Sequence, residues 1–189
     1  MKLIYYATTS AIKFEMAGTH LKNHGIKVVQ KKIEIKEIQS DSIREIAVDK
    51  AKKIFAIIRR PLLVNDSGWF ITALNGFPGA FMAYVNKWFT ADDFIALMKG
   101  KKNREIILKQ IVVYIDNGGF KVFEHDSVGE VLKRASKNVG RPSEMIASFS
   151  NDNFSLTDKR ISGKIGLALE AEAELWHEIA NWLKKNEKA

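Results

Sequence analysis

Apolar positions along the chain fall into short runs and periodic stripes separated by small polar and glycine-containing segments. Residues 2–7 form an apolar run that predicts a strand, and Thr8, Thr9 or Ser10 can cap a helix running to about His24, with Gly25 as its stop. Residues 26–35 predict a second strand. The spacing of Ile43, Ile46, Ala47, Ala51, Ile54 and Ile58 predicts a helix, opened by a capping box at Ser42 and Glu45 and ended by Pro61. Strand-like residues 62–64 and 69–74 then flank Asn65-Asp66-Ser67-Gly68, so Asp66-Ser67-Gly68 reads as a glycine turn at a strand end.

Downstream, residues 76–79 predict a turn, and a short helix opens at Thr90-Ala91-Asp92-Asp93 and closes at Gly100. A long strand over residues 105–116 meets a hairpin signal, Asn117-Gly118-Gly119, and a partner strand over 120–123, which requires antiparallel pairing. Residues 133–159 lose periodicity and read as loop. From residue 170 to 185, Leu175, Trp176, Ile179, Trp182 and Leu183 describe an amphipathic helix that buries both tryptophans and ends in a charged tail. Strand-turn-helix units together with a hairpin predict an α/β fold with a mixed, twisted sheet flanked by helices. With no internal repeat or low-complexity linker, residues 1–189 are expected to form a single domain.

Composition narrows the function. The chain has no cysteine, which removes disulfides, thiolate metal sites and cysteine nucleophiles, so any metal must use oxygen or histidine ligands. No apolar run is long enough to span a bilayer, and the start reads as strand and turn rather than a signal peptide, so a cytoplasmic protein is expected. A formal charge of +8 points to an anionic partner. The cationic pairs are scattered, without the single basic face of a nucleic-acid binder, so a nucleotide or phosphorylated metabolite fits better than nucleic acid.

Chemistry concentrates around Asp66. A carboxylate at a strand end can bind a divalent metal or activate water, and the following Ser67 and Gly68 can offer backbone N–H groups to an anion. Asp-Ser-Gly is also a favourable turn sequence in its own right. Thr8 and Ser10 expose a helix N-terminus, and Lys13, one turn in, adds a cation for phosphate oxygens; a plain cap with a solvated lysine is the alternative. Lys109 sits in the apolar strand Ile106-Ile107-Leu108-Lys109-Gln110-Ile111, where it either meets an anion or faces solvent at an edge. Glu37, among lysines, reads on its own as a solvated side chain. His20 and His24 are one turn apart but lack a third ligand, and His125 and His177 stand alone.

The longer string Asp66-Ser67-Gly68, an apolar run and Leu74-Asn75-Gly76-Phe77-Pro78-Gly79 resembles the signature of the inosine-triphosphate pyrophosphatase family, whose members hydrolyse triphosphates of aberrant purines. The resemblance extends from Ala7-Thr8-Thr9-Ser10-Ala11-Ile12-Lys13, through Glu34-Ile35-Lys36-Glu37-Ile38-Gln39, to Lys109 and the hairpin, and so covers roughly residues 2–131. It implies two lobes around a central cleft, a homodimer, and attack of water on the α-phosphorus of a nucleoside triphosphate. Glu37 and Asp66 would hold Mg2+ or orient the water, with Asp66 and Lys13 catalytic. Thr8, Ser10, Lys13, Ser67, Gly68 and Lys109 would bind substrate.

Single positions in the first half and whole motifs in the second depart from the family pattern. Ser10 replaces an asparagine and Met16 a glutamate, while Met82 and Ala83 replace a serine and its polar neighbour. Asn138-Val139-Gly140-Arg141-Pro142-Ser143-Glu144 stands where the family has Gly-Phe-Gly-Tyr-Asp-Pro, with Glu144 as a partial substitute for its carboxylate. The family's Ser-His-Arg falls on Ser162-Gly163-Lys164 in one register and on Glu170-Ala171-Glu172 in another, and neither keeps the histidine. Altered base recognition is expected. The competing expectation is a catalytically impaired homologue that acts as a nucleotide sensor or protein-interaction module.

Overall fold

A computed structural model describes residues 2–150, 153–163 and 166–186, with the side chains of 166–171 outside the description. Strand β1 (Lys2–Ala7) leads into helix α1 (Ala11–Lys22), whose N-cap Ser10 accepts from the Lys13 amide at 3.3 Å. Strand β2 (Ile26–Lys31) follows, shorter than the predicted run because residues 32–41 leave the sheet. Helix α2 (Ile43–Ile58) has its predicted cap at Ser42, but only half of the capping box forms. The Glu45 carboxylate accepts from the Ser40 hydroxyl instead of reaching back to the Ser42 amide. Arg59, in the left-handed region at φ 53°, ends the helix two residues before Pro61.

The turn expected at Asp66-Ser67-Gly68 is not a turn. Strand β3 (Leu62–Ile71) runs unbroken through it. What changes there is the neighbour on one side: Leu62 to Val64 pair with β1 in parallel, while Trp69 and Phe70 pair antiparallel with β4 (Pro78–Gly79). Asp66 to Gly68 lie in the gap between those pairings. Asn75, Gly76 and Gly79 take positive φ around a cis Phe77–Pro78 bond, which turns the chain back as expected.

Helix α3 (Met82–Trp88) was not expected from sequence. Helix α4 (Ala91–Leu97) opens on a full capping box at Thr90 and Asp93. Strands β5 (Glu105–Asp116) and β6 (Gly119–Val131) meet at the predicted hairpin, with β6 far longer than anticipated. The presumed loop of residues 133–159 contains helix α5 (Pro142–Ile146), strand β7 (Ala147–Ser148) and the start of helix α6 (Leu156–Ile161). These elements are too short to show a period in sequence. Helix α7 (Gly166–Lys185) completes the described chain.

The seven-stranded sheet has the order β2-β1-β3-β5-β6-β7, with β4 paired to β3, and mixes parallel and antiparallel neighbours. Among the described residues no helix is long and apolar enough to cross a membrane. The chain divides into two compact units. The first comprises residues 1–66, 110–125 and 172–189, and its core joins Ile4, Tyr6, Leu21, Leu63, Phe123 and Trp176. The second comprises residues 67–109 and 126–171 and is built around Ile71, Phe94, Ile106, Val131 and Ile146. Each such buried aliphatic or aromatic side chain contributes about 1.5–3 kcal/mol.

Candidate functional site

In the first unit, the turn between β1 and α1 is held from both sides. The Thr8 amide donates to the Lys31 carbonyl at 3.1 Å, and the Gln30 side chain donates to the Thr8 carbonyl at 3.0 Å. Thr8 Oγ1 accepts from the Ser10 amide, and Ser10 Oγ from the Lys13 amide. Those two amides are therefore engaged within the turn. What it presents to an anion is the positive end of α1 and the Lys13 ammonium.

Lys13 is partly buried among charges. Burial pushes its ammonium pKa down and Lys50 pushes the same way, against the pull of Asp66, Glu172 and Glu37; the net direction is down. Lys50, on α2, is the complement. Its Nζ lies 2.5 Å from Glu37 Oε1 and 3.6 Å from Asp66 Oδ2. Burial lowers its pKa, but Asp66 and Glu37 outweigh that and hold it above the ordinary lysine value. Glu37 is thus ion-paired rather than merely solvated, though its side chain is about half exposed.

Glu37 and Asp66 converge on one cation. Hard oxygen donors of this kind suit a divalent ion such as Mg2+, which takes one or two carboxylates and completes its shell with water and substrate phosphates. Among the described residues no three His, Cys, Asp or Glu side chains close a metal cage, and an ion shared with a phosphate ligand does not need one.

Behind this group lie Tyr6, Gln110 and Glu172. Burial holds the Glu172 carboxyl above its ordinary value, although hydrogen bonds from Gln110 and Trp176 and the charges of Lys13 and His125 oppose it. The buried Tyr6 phenol is held neutral, first by burial and then by the nearby Glu172 and Asp66 charges.

Of the residues picked from sequence, Thr8, Ser10, Lys13, Glu37 and Asp66 belong to the first unit. Ser67, Gly68 and Lys109 belong to the second, where the Lys109 ammonium pairs with Asp126 and stands 5.8 Å from the Phe70 ring centre. Its anion in this structure is an internal carboxylate. Glu144 is buried and bonded to Arg160, so it is already neutralised in place. Lys164 lies outside the described residues, as do the side chains of Glu170 and Ala171.

Two further expectations change. His177 does not stand alone, since its ring lies 5.1 Å from that of His24. The cations are not all scattered, because Lys99, Lys101, Lys102, Arg104 and Lys133 line one groove of the second unit. Arg104 there donates to the Val131 and Leu132 carbonyls, a structural use of its charge.

Sequence reading missed Lys50, Gln110 and Tyr6, and met Glu172 only as one possible register of a lost motif. A signal existed for two of them. Lys50 falls on the apolar stripe of α2 between Ala47 and Ile54, and Glu172 stands one turn before Trp176 on the stripe of α7. A charge on a buried stripe announces a partner.

Residues 4–142 match the family model described as Ham1 family. The chain is 30% identical over 181 residues to a dITP/XTP pyrophosphatase of Thermococcus kodakarensis, covering 96% of this chain and 97% of that protein. It is 31% identical over 190 residues to a dITP/XTP pyrophosphatase of Methanopyrus kandleri, covering 97% of each. Its fold is similar to that of a HAM1 protein from Coxiella burnetii, with a TM-score of 0.79 and 18% identity over 98% of this chain and 100% of that one.

Proposed function

Because the chain belongs to the Ham1 family, we propose that it is a nucleoside-triphosphate pyrophosphatase that cleaves dITP- or XTP-like substrates to the monophosphate and pyrophosphate. The observation that carries this reading is the Lys50 ammonium shared by the Glu37 and Asp66 carboxylates, with Lys13 beside them. Two fixed cations next to two converging carboxylates suit a reaction in which negative charge moves from attacking water to a departing pyrophosphate.

In this reading Glu37 and Asp66 would hold Mg2+. When bound, the ion supplies charge neutralisation for the triphosphate. Asp66 orients the attacking water and takes up its proton. Lys13 and Lys50 neutralise phosphate oxygens as charge builds on the departing pyrophosphate. Thr8 and Ser10 fix the turn that carries Lys13, while Ser67, Gly68 and Lys109 provide further substrate contacts. The whole chain acts as one functional domain, in the cytoplasm.

A homodimer belongs to the same proposal. It is supported by α3, which leaves Tyr84 half exposed and Trp88 73% exposed. The joint retention of Lys13, Glu37 and Asp66 weighs against a non-catalytic sensor.

The test is product identity. Phosphorus NMR of dITP or XTP incubated with the protein and Mg2+ should show pyrophosphate and the monophosphate in equal amounts. Orthophosphate with the diphosphate would contradict cleavage at the α-phosphorus.

A further inference from the structure

Glu172 occupies a position that its own helix buries. Helix α7 packs Leu175, Trp176, Ile179 and Leu183 into the core of the first unit, and Glu172 lies one turn upstream of Trp176. A carboxylate there must be met by donors. Gln110 donates from β5 and Trp176 Nε1 from α7 at 3.4 Å, while Lys13 of α1 adds its charge.

Beside this carboxylate, two buried polar atoms have no hydrogen-bond partner among the described residues: the Tyr6 hydroxyl and Gln110 Oε1. Tyr6 is fully buried with its ring edge-on to Trp176 at 6.0 Å, and Gln110 is only 5% exposed. Gln110 donates from its amide nitrogen to Glu172, while its oxygen is unmatched. Folded proteins pair nearly all such atoms. Two unpaired atoms around one carboxylate mark a place where another group belongs.

The chemistry of that group follows from what the site lacks. Gln110 Oε1 can only accept, the Glu172 carboxylate only accepts when it carries its charge, and Tyr6 can do either. A triphosphate chain presents acceptor oxygens alone, so it could take the Tyr6 hydroxyl's proton but cannot satisfy Gln110 Oε1. The nucleoside end of a nucleotide can, through a base N–H or a sugar O–H.

We infer that Tyr6, Gln110 and Glu172 form a nucleoside-reading site, with Glu172 the specificity-determining acceptor for a base N–H or sugar O–H of the substrate. This rests on the nucleotide-hydrolase reading of the adjoining residues. Discrimination arises because a nucleoside lacking the donor leaves buried acceptors unpaired, a larger penalty than the loss of one solvated contact.

The test measures calorimetric dissociation constants, with Mg2+ present, for uncleavable α,β-methylene analogues of three triphosphates. They carry inosine, N1-methylinosine, which lacks the base N–H, and dideoxyinosine, which lacks the sugar hydroxyls. The native chain should bind the inosine form at least about tenfold more tightly than one of the stripped forms, which identifies base or sugar as the source. That gap should close to within about twofold in Glu172→Leu. Tyr6→Phe keeps the ring packed on Trp176 and should narrow the gap too, so the result does not hang on the folding of one variant.

Equal binding of all three forms by the native chain overturns the inference, and so does a gap that neither variant changes; the polar atoms would then serve a buried water. Pyrophosphate release from cleavable triphosphates is read separately. Discrimination without turnover keeps this inference and sinks the hydrolase reading, and turnover without discrimination does the reverse.

Discussion

The Lys50 ammonium stands 3.6 Å from the Asp66 carboxylate while holding Glu37 at 2.5 Å, so one helix residue fixes two acidic groups that approach it from a strand and from an irregular segment. Without a cation between them the two carboxylates would repel. Replacing Lys50 by Met should lower kcat/KM by about 10²–10³-fold, the range for losing one fixed charge partner in such a site. The same variant should bind Mn2+ more tightly than the native chain in the absence of nucleotide, because the competing ammonium is gone. Steady-state kinetics and paramagnetic titration of Mn2+ check both halves.

Lys13 gives a pH prediction. Burial depresses its ammonium pKa, so the cation needed for phosphate binding is present below that depressed value and is lost as pH rises through it. The alkaline limb of kcat/KM should therefore fall at lower pH than the ordinary lysine value. In Lys13→Arg, whose guanidinium keeps its charge, the limb should move to higher pH or disappear. An unchanged limb would remove Lys13 from the pH dependence.

A second pH effect concerns stability. Burial pushes the Asp158 carboxyl up, but the hydroxyls of Ser136 and Ser155 and the Asn138 amide more than offset this, so it titrates at about 2. A depressed acid stabilises the fold above its unfolded pKa, and that stability is lost as pH falls from about 4 through 2. Discounted for solvent screening, the contribution is about 1 kcal/mol. Denaturant melts at pH 7 should show Asp158→Asn destabilised by that order, with the difference fading towards pH 2.

Gly129 tests the pairing of β6 with β7. A β-carbon there would lie 2.3 Å from the Ser148 carbonyl oxygen and 2.7 Å from the Phe149 ring, and neither can withdraw without disturbing the Glu130–Ser148 register. Gly129→Ala should cost about 1–3 kcal/mol, read as a lower Tm.

The fold was legible wherever a period or a cap spoke locally. Helix α1 announced itself through the capping candidates Thr8, Thr9 and Ser10, of which Ser10 is the cap, α2 through Ser42, and β5 through a long apolar run into an Asn-Gly-Gly turn. The unbroken β3 was not legible, because whether Asp66 to Gly68 turn or extend depends on which strands lie beside them, a tertiary fact. In the candidate site, Lys13 and Asp66 stood out through local motif, whereas Lys50 looked like one more lysine in a basic helix until its place on the apolar stripe was counted. Glu37 carried no local signal, since its meaning comes from an ammonium thirteen residues away.

The measurement that tests the central claim most directly is pyrophosphate release from dITP and XTP with Mg2+, native chain against Asp66→Asn. That change removes the charge while keeping the shape. The account predicts release by the native chain and a loss of about 10²–10⁴-fold in the variant, with the fold intact by melting temperature. Equal rates in the two proteins, or no release by the native chain from either substrate, would contradict it.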